Sequence, residues 1–113
     1  MSKFSRDKGA RMERAMVHLL QERGRAAERV PLSGAAGGRF ASDLSVPVMG
    51  NDWRVECKSR ARDFVRLYAW LEGSDALIVR SDRRKPLLVI DLAKALEILE
   101  AAEVASMPTR KAA

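Results

Sequence analysis

Apolar residues recur along this chain with two periods, every three to four positions in some stretches and every second position in others, and the changes of period divide it into elements. From Asp7 to Gly24 the positions Met12, Ala15, Met16, Leu19 and Leu20 share one helical face, and Gly24 supplies a stop. Ala26 to Leu32 reads as a short strand, and the glycine-rich Ser33 to Gly38 predicts a loop suited to ligand contact. Ser42 to Met49 and Trp53 to Ser59 are strand patterns joined by turn chemistry at Gly50, Asn51 and Asp52, which predicts an antiparallel hairpin. Helical spacing returns through Val65, Leu67, Tyr68 and Leu71, within Phe64 to Glu72, and Gly73 ends it. Two short apolar strands follow, Ala76 to Val79 and Leu87 to Ile90, separated by the strongly basic Arg80-Ser81-Asp82-Arg83-Arg84-Lys85-Pro86. Leu92 to about Val104 carries Leu92, Ala95, Leu96 and Leu99 as a last helical stripe, and a tail of about residues 106–113 is expected to fray. The order helix, three strands, helix, two strands, helix predicts an α/β fold with a mixed central sheet of about five strands flanked by helices.

Composition narrows the class. With 113 residues, 47% hydrophobic and 32% charged, the chain has the size and balance of one soluble globular domain. No apolar run approaches the ~20 residues that span a bilayer. The N-terminal Met-Ser-Lys-Phe-Ser-Arg-Asp-Lys has no apolar stretch behind its charges, so it does not read as a secretory signal and a cytoplasmic setting is expected. One cysteine, Cys57, and one histidine, His18, exclude an internal disulfide and a zinc site of the usual Cys/His kind, so any bound metal is expected to be held by oxygen. The net charge of +6 favours polyanions, with nucleic acid the leading class of partner and plain solubility the alternative.

Candidate chemistry is concentrated in Asp52-Trp53-Arg54-Val55-Glu56-Cys57-Lys58, where strand alternation sends Trp53, Val55 and Cys57 to one face and Arg54, Glu56 and Lys58 to the other. If the hairpin pairs about its Gly50 turn, Asp43 lies near Glu56, and two carboxylates and an ammonium share a few ångströms. Such an arrangement suits a hard divalent cation such as Mg²⁺, with lysine orienting or deprotonating an attacking water. An ordinary solvated strand face is the other reading. Glu13 falls inside the apolar stripe of the first helix, between Met16, Val17 and Leu20, so it either snorkels from the stripe edge or points into a cation-containing cleft. His18 reads as a surface residue and Cys57 as a packed one.

In order along the chain, Gly9-Ala10-Arg11-Met12-Glu13-Arg14, Arg29-Val30-Pro31-Leu32-Ser33-Gly34, Asp43 and Val55-Glu56-Cys57-Lys58-Ser59-Arg60 resemble the archaeal-type Holliday junction resolvases of the PD-(D/E)xK nuclease superfamily. The resemblance runs from about Lys8 to Ile90, with Ser42 where the superfamily motif has proline. It implies a restriction-endonuclease-like core in which Glu13, Asp43, Glu56 and the main-chain carbonyl of Cys57 hold Mg²⁺, or Mn²⁺ in its place. Lys58 would be the catalytic lysine, and Ser33 matches the functionally important loop serine. The activity implied is a metal-dependent, structure-selective DNA endonuclease that resolves four-way junctions by paired phosphodiester hydrolysis, as a homodimer with two matching sites. A nuclease of the same superfamily acting on other DNA structures, and a non-catalytic nucleic-acid-binding protein of the same fold, are the alternatives. Lys8, Arg11, Arg39, Arg60, Arg62 and Arg66, with Lys3 and Arg6, are expected to contact phosphates, which carry no sequence information and so favour selection by shape.

Overall fold

Lys3–Glu22 forms the first helix, α1, of the computed structural model, which describes residues 3–30 and 43–107. The helix starts four residues before the stripe does, at Lys3, because its first turn is solvent-exposed and needs no apolar face. It ends where the sequence predicts. Gly24 takes a φ of 80° and donates to the Gln21 carbonyl at 2.9 Å, while the Arg25 N–H reaches the Leu20 carbonyl at 3.0 Å. Those two bonds form a Schellman cap, and its left-handed position is one that glycine occupies without a steric penalty.

The chain divides into two units, Met1–Ser59 and Arg60–Ala113. In the first, α1 is followed by β1 (Glu28–Arg29), β2 (Leu44–Val48) and β3 (Asn51–Val55), hydrogen-bonded in the order β1-β2-β3 with both pairings antiparallel. β2 is the central strand and alternates as the pattern requires, with Leu44, Val46 and Val48 buried and the residues between them half-buried. With Leu20 and Ala27 these side chains make the core of the unit. Arg25, also buried, donates from Nη1 to the Pro47 carbonyl at 2.7 Å. Proline is tolerated in β2 because the register Val48↔Asn51 puts Pro47 opposite Asp52 at a non-hydrogen-bonded position, where no ladder bond to β3 needs an N–H.

The hairpin turn lies earlier than predicted. Met49 and Gly50 form it, with φ of 51° and 84°, and Asn51 and Asp52 belong to β3. Positive φ at both central residues is the type I′ geometry, which matches the strand twist, and this register places Met49 at the first of them. β3 also ends at Val55, so Glu56 to Ser59 lie beyond the strand instead of within it. Val55 and Trp53 do face the same side as Leu44 and Val46, their register partners, as alternation predicts. Because β3 is an edge strand, Trp53 is nevertheless 57% exposed.

The second unit comprises α2 (Val65–Leu71), β4 (Leu77–Val79), β5 (Leu87–Val89) and α3 (Leu92–Ala105), close to the predicted bounds. β4 and β5 pair antiparallel through Leu77↔Val89, Ile78↔Leu88 and Val79↔Leu87. Asp91 caps α3, accepting from the Ala93 N–H at 2.9 Å and the Lys94 N–H at 3.3 Å, and Lys94 meets Asp75 at 3.0 Å. Leu96 is the buried residue of that helix.

The expected mixed sheet of about five strands is not formed among the described residues, whose strands pair as one three-stranded and one two-stranded antiparallel sheet. Neighbours in sequence pair across short connections. A parallel pairing needs a long crossover, whose closure the order of elements does not establish. No described helix is long and apolar enough to cross a membrane.

Candidate active site

Asp43 stands one residue before β2, where the two ladders of the sheet run out together. The register Leu44↔Val55, continued by one residue, sets it opposite Glu56. Its carbonyl accepts the Val30 N–H at 3.1 Å on the β1 side, and its carboxylate Oδ2 accepts the Cys57 N–H at 2.7 Å on the other. The expected neighbourhood of Asp43 and the Glu-x-Lys segment is thus present, organised through the Cys57 amide.

Glu13 turns inward from α1. Its side chain is only 18% exposed, and Oε1 accepts from the Nε of Arg29 on β1 at 3.0 Å. The two readings of this carboxylate resolve into one: it leaves the solvent, and the cation it meets is a guanidinium. Arg29 is a site residue to which sequence reasoning gave no role. The signal was available, since a carboxylate within an apolar stripe calls for a cationic partner on whatever element packs against that stripe.

Glu56 and Lys58 point the same way, as period-two spacing predicts, with Nζ 3.8 Å from Oε1. Both side chains are more than half exposed, so their attraction is solvent-screened and adds little to stability. Cys57 between them is half-buried, and its thiol titrates above the ordinary value. Burial is the largest cause, followed by the negative charges of Asp43, Glu13 and Glu56. Carboxylates from α1, from the start of β2 and from the segment after β3 therefore all lie close enough to bear on one sulfur atom.

These residues have the donor chemistry for a hard divalent cation, which prefers anionic oxygen. Asp43 Oδ1, Glu13 Oε2 and Glu56 Oε2 accept no hydrogen bond from a described residue, so each carboxylate keeps an oxygen outside its present contact. The described side chains do not yet gather into a group of three ready to chelate an ion. In its chemistry the oxygen set fits such a cation.

The predicted phosphate contacts are spread over both units. Lys8 is half-buried and Arg11 exposed on α1, where Lys3 and Arg6 are exposed as well. Arg60, Arg62 and Arg66 are exposed in the second unit, Arg60 with its Nε 3.8 Å from Asp63. Ser33 and Arg39 lie outside the described residues. His18 is a surface residue as expected, 2.9 Å from Glu22 one helical turn on.

The family model of the archaeal Holliday junction resolvases (Hjc) matches residues 4–109, across both units and every candidate active-site residue. No curated protein and no solved structure matches the chain.

Proposed function

This chain belongs to the family of archaeal Holliday junction resolvases, nucleases of DNA recombination and repair, and from that membership we propose a metal-dependent endonuclease that cuts four-way junctions at paired, symmetric positions. The observation that supports the metal-dependent reading is that the Cys57 N–H holds the Asp43 carboxylate at 2.7 Å beside the Glu56–Lys58 segment, with Glu13 turned inward from α1. Carboxylates brought to one end of the sheet favour a divalent cation as counter-charge.

In this reading Asp43, Glu56 and Glu13, with the Cys57 main-chain carbonyl, hold Mg²⁺ or Mn²⁺. The cation supplies charge stabilisation to the phosphate and to the leaving 3′ oxygen. The Cys57 amide fixes the direction of the Asp43 carboxylate through the 2.7 Å bond. Lys58, exposed and 3.8 Å from Glu56, orients the attacking water and offsets the charge that builds on phosphorus. Water oxygen bonds to phosphorus as its proton passes to solvent, the phosphorus–O3′ bond breaks, and the leaving O3′ takes a proton from solvent, which leaves a 5′-phosphate and a 3′-hydroxyl. Ser33 matches the family's functionally important serine and is assigned a supporting role on that resemblance, and Lys8, Arg11, Arg39, Arg60, Arg62 and Arg66 bind phosphates without reading bases. A homodimer provides two equivalent sites for two equivalent strands.

Purified protein incubated with Mg²⁺ and labelled four-way junction, linear duplex or single strand tests the reading, beside Asp43→Asn and Glu56→Gln. Paired symmetric incisions confined to the junction, absent in both variants and without divalent cation, are expected. Cutting of all three substrates would overturn junction selectivity, and junction binding without incision in Mg²⁺ or Mn²⁺ would overturn catalysis.

A further inference from the structure

The seven residues that join β4 to β5 carry Arg80, Arg83, Arg84 and Lys85 against the single carboxylate of Asp82. All of them are exposed. Four cations elsewhere in the chain meet a carboxylate, Arg29 with Glu13, Lys58 with Glu56, Arg60 with Asp63 and Lys94 with Asp75. Arg80, Arg83, Arg84 and Lys85 meet no carboxylate among the described residues. Four like charges at a hairpin tip, offset in the loop by Asp82 alone, repel one another, an arrangement that a polyanion relieves.

The loop has a defined shape. The Arg84 N–H donates to the Ser81 carbonyl at 3.1 Å, closing a turn, and Arg83 within that turn has a φ of 64°. Glycine or asparagine usually fills such a left-handed position, because a longer side chain there is strained. Here an arginine fills it. The loop lines an open concavity of about 700 Å³ together with Val79 and Leu87, its cationic lining being Arg80, Arg83, Arg84 and Lys85. Consecutive guanidinium and ammonium groups along a concave rim suit an extended run of phosphates better than a single small anion, which one or two of them would satisfy.

We infer that the β4–β5 loop is a DNA-backbone contact of this nuclease, in which Arg83, Arg84 and Lys85 neutralise phosphates of a junction arm. The inference rests on the junction-cutting reading and extends it to a surface that the carboxylate site does not include. Such contacts add affinity uniformly across sequences and are released by salt.

The test measures binding of the full chain to a labelled four-way junction in EDTA, so that no strand is cut, over a range of NaCl concentrations. Replacing the three residues together, Arg83→Gln, Arg84→Gln and Lys85→Gln, is expected to weaken binding for every arm sequence. Each phosphate contact contributes about 0.9 to the slope of log affinity against log salt, so the slope becomes shallower by about 2 to 3. Arg83→Lys with Arg84→Lys is expected to keep the wild-type slope, which a purely structural role would not allow. Arg83→Gly removes one cation while relieving the left-handed strain, so its slope falls by about 1 with no loss of thermal stability. An unchanged slope in the glutamine variant, with wild type binding and cutting the junction in Mg²⁺, overturns the inference and leaves the nuclease reading standing. Wild type that neither binds nor cuts overturns both.

Discussion

Cys57 donates its main-chain N–H to the Asp43 carboxylate at 2.7 Å, and this one bond closes the end of the β2–β3 hairpin where the backbone ladder has stopped. It gives the aspartate a structural duty beside its proposed chemical one, and the two separate by substitution. Asparagine keeps an oxygen to accept the Cys57 N–H, so Asp43→Asn is expected to melt within a few degrees of wild type while junction cleavage falls by at least about 10²-fold. Asp43→Ala leaves a part-buried donor unsatisfied and is expected to lose a further 1–3 kcal/mol or so. Thermal melts beside single-turnover cleavage make the comparison. Equal activity in wild type and Asp43→Asn would remove Asp43 from the chemistry.

The Cys57 thiol reports on the carboxylates around it. Burial first, then Asp43, Glu13 and Glu56, raise its pKa above the ordinary 9.0. Between the unfolded and folded values the native chain binds the proton more tightly, so this group's contribution to stability is present below pH 9 and is lost as pH climbs through the raised value. The pH profile of thiol alkylation is expected to have its midpoint above that of the urea-unfolded chain. Asp43→Asn lowers that midpoint by removing one negative neighbour. Saturating Mg²⁺ lowers it as well, because a bound cation offsets all three carboxylates. A midpoint indifferent to Mg²⁺ would show that no cation binds beside the thiol.

Glu13 and Arg29 join α1 to β1 across a contact in which the carboxylate is the more enclosed partner and the guanidinium stays open to solvent. Removing the guanidinium strands a carboxylate that is 18% exposed, so Arg29→Ala is expected to cost about 1–3 kcal/mol, the lower figure if water reaches Glu13 from the 43% exposed arginine side. Glu13→Gln still accepts a hydrogen bond from Arg29 and is expected to cost less. A double-mutant cycle on melting free energies isolates the pair, and a coupling near zero would mean that the contact contributes nothing to holding the helix on the sheet.

Much of the local structure was legible because it is written in short-range terms. The helical stripes of α1 and α3, the glycines after α1 and α2, the strands flanking the basic loop and the antiparallel pairing of β2 with β3 all come from spacing and turn chemistry. The errors were local competitions too. Gly50-Asn51-Asp52 looks like a turn, yet the register that buries Leu44, Val46 and Val48 together needs the turn at Met49 and Gly50, and the register prevails.

The sequence by itself singled out the candidate residues, since an ordered set of acidic positions followed by Glu-x-Lys carries the family resemblance. Only the tertiary structure decided how those groups are held. Arg29 meets Glu13 sixteen residues away, and the Cys57 amide meets Asp43 fourteen residues away. Neither contact follows from a periodic pattern, because each depends on which elements pack together and where a ladder ends. The pairing into two antiparallel sheets in place of one mixed sheet has the same origin: hairpin partners are set by the chain between them, whereas partners across a helix are set by packing over the whole fold.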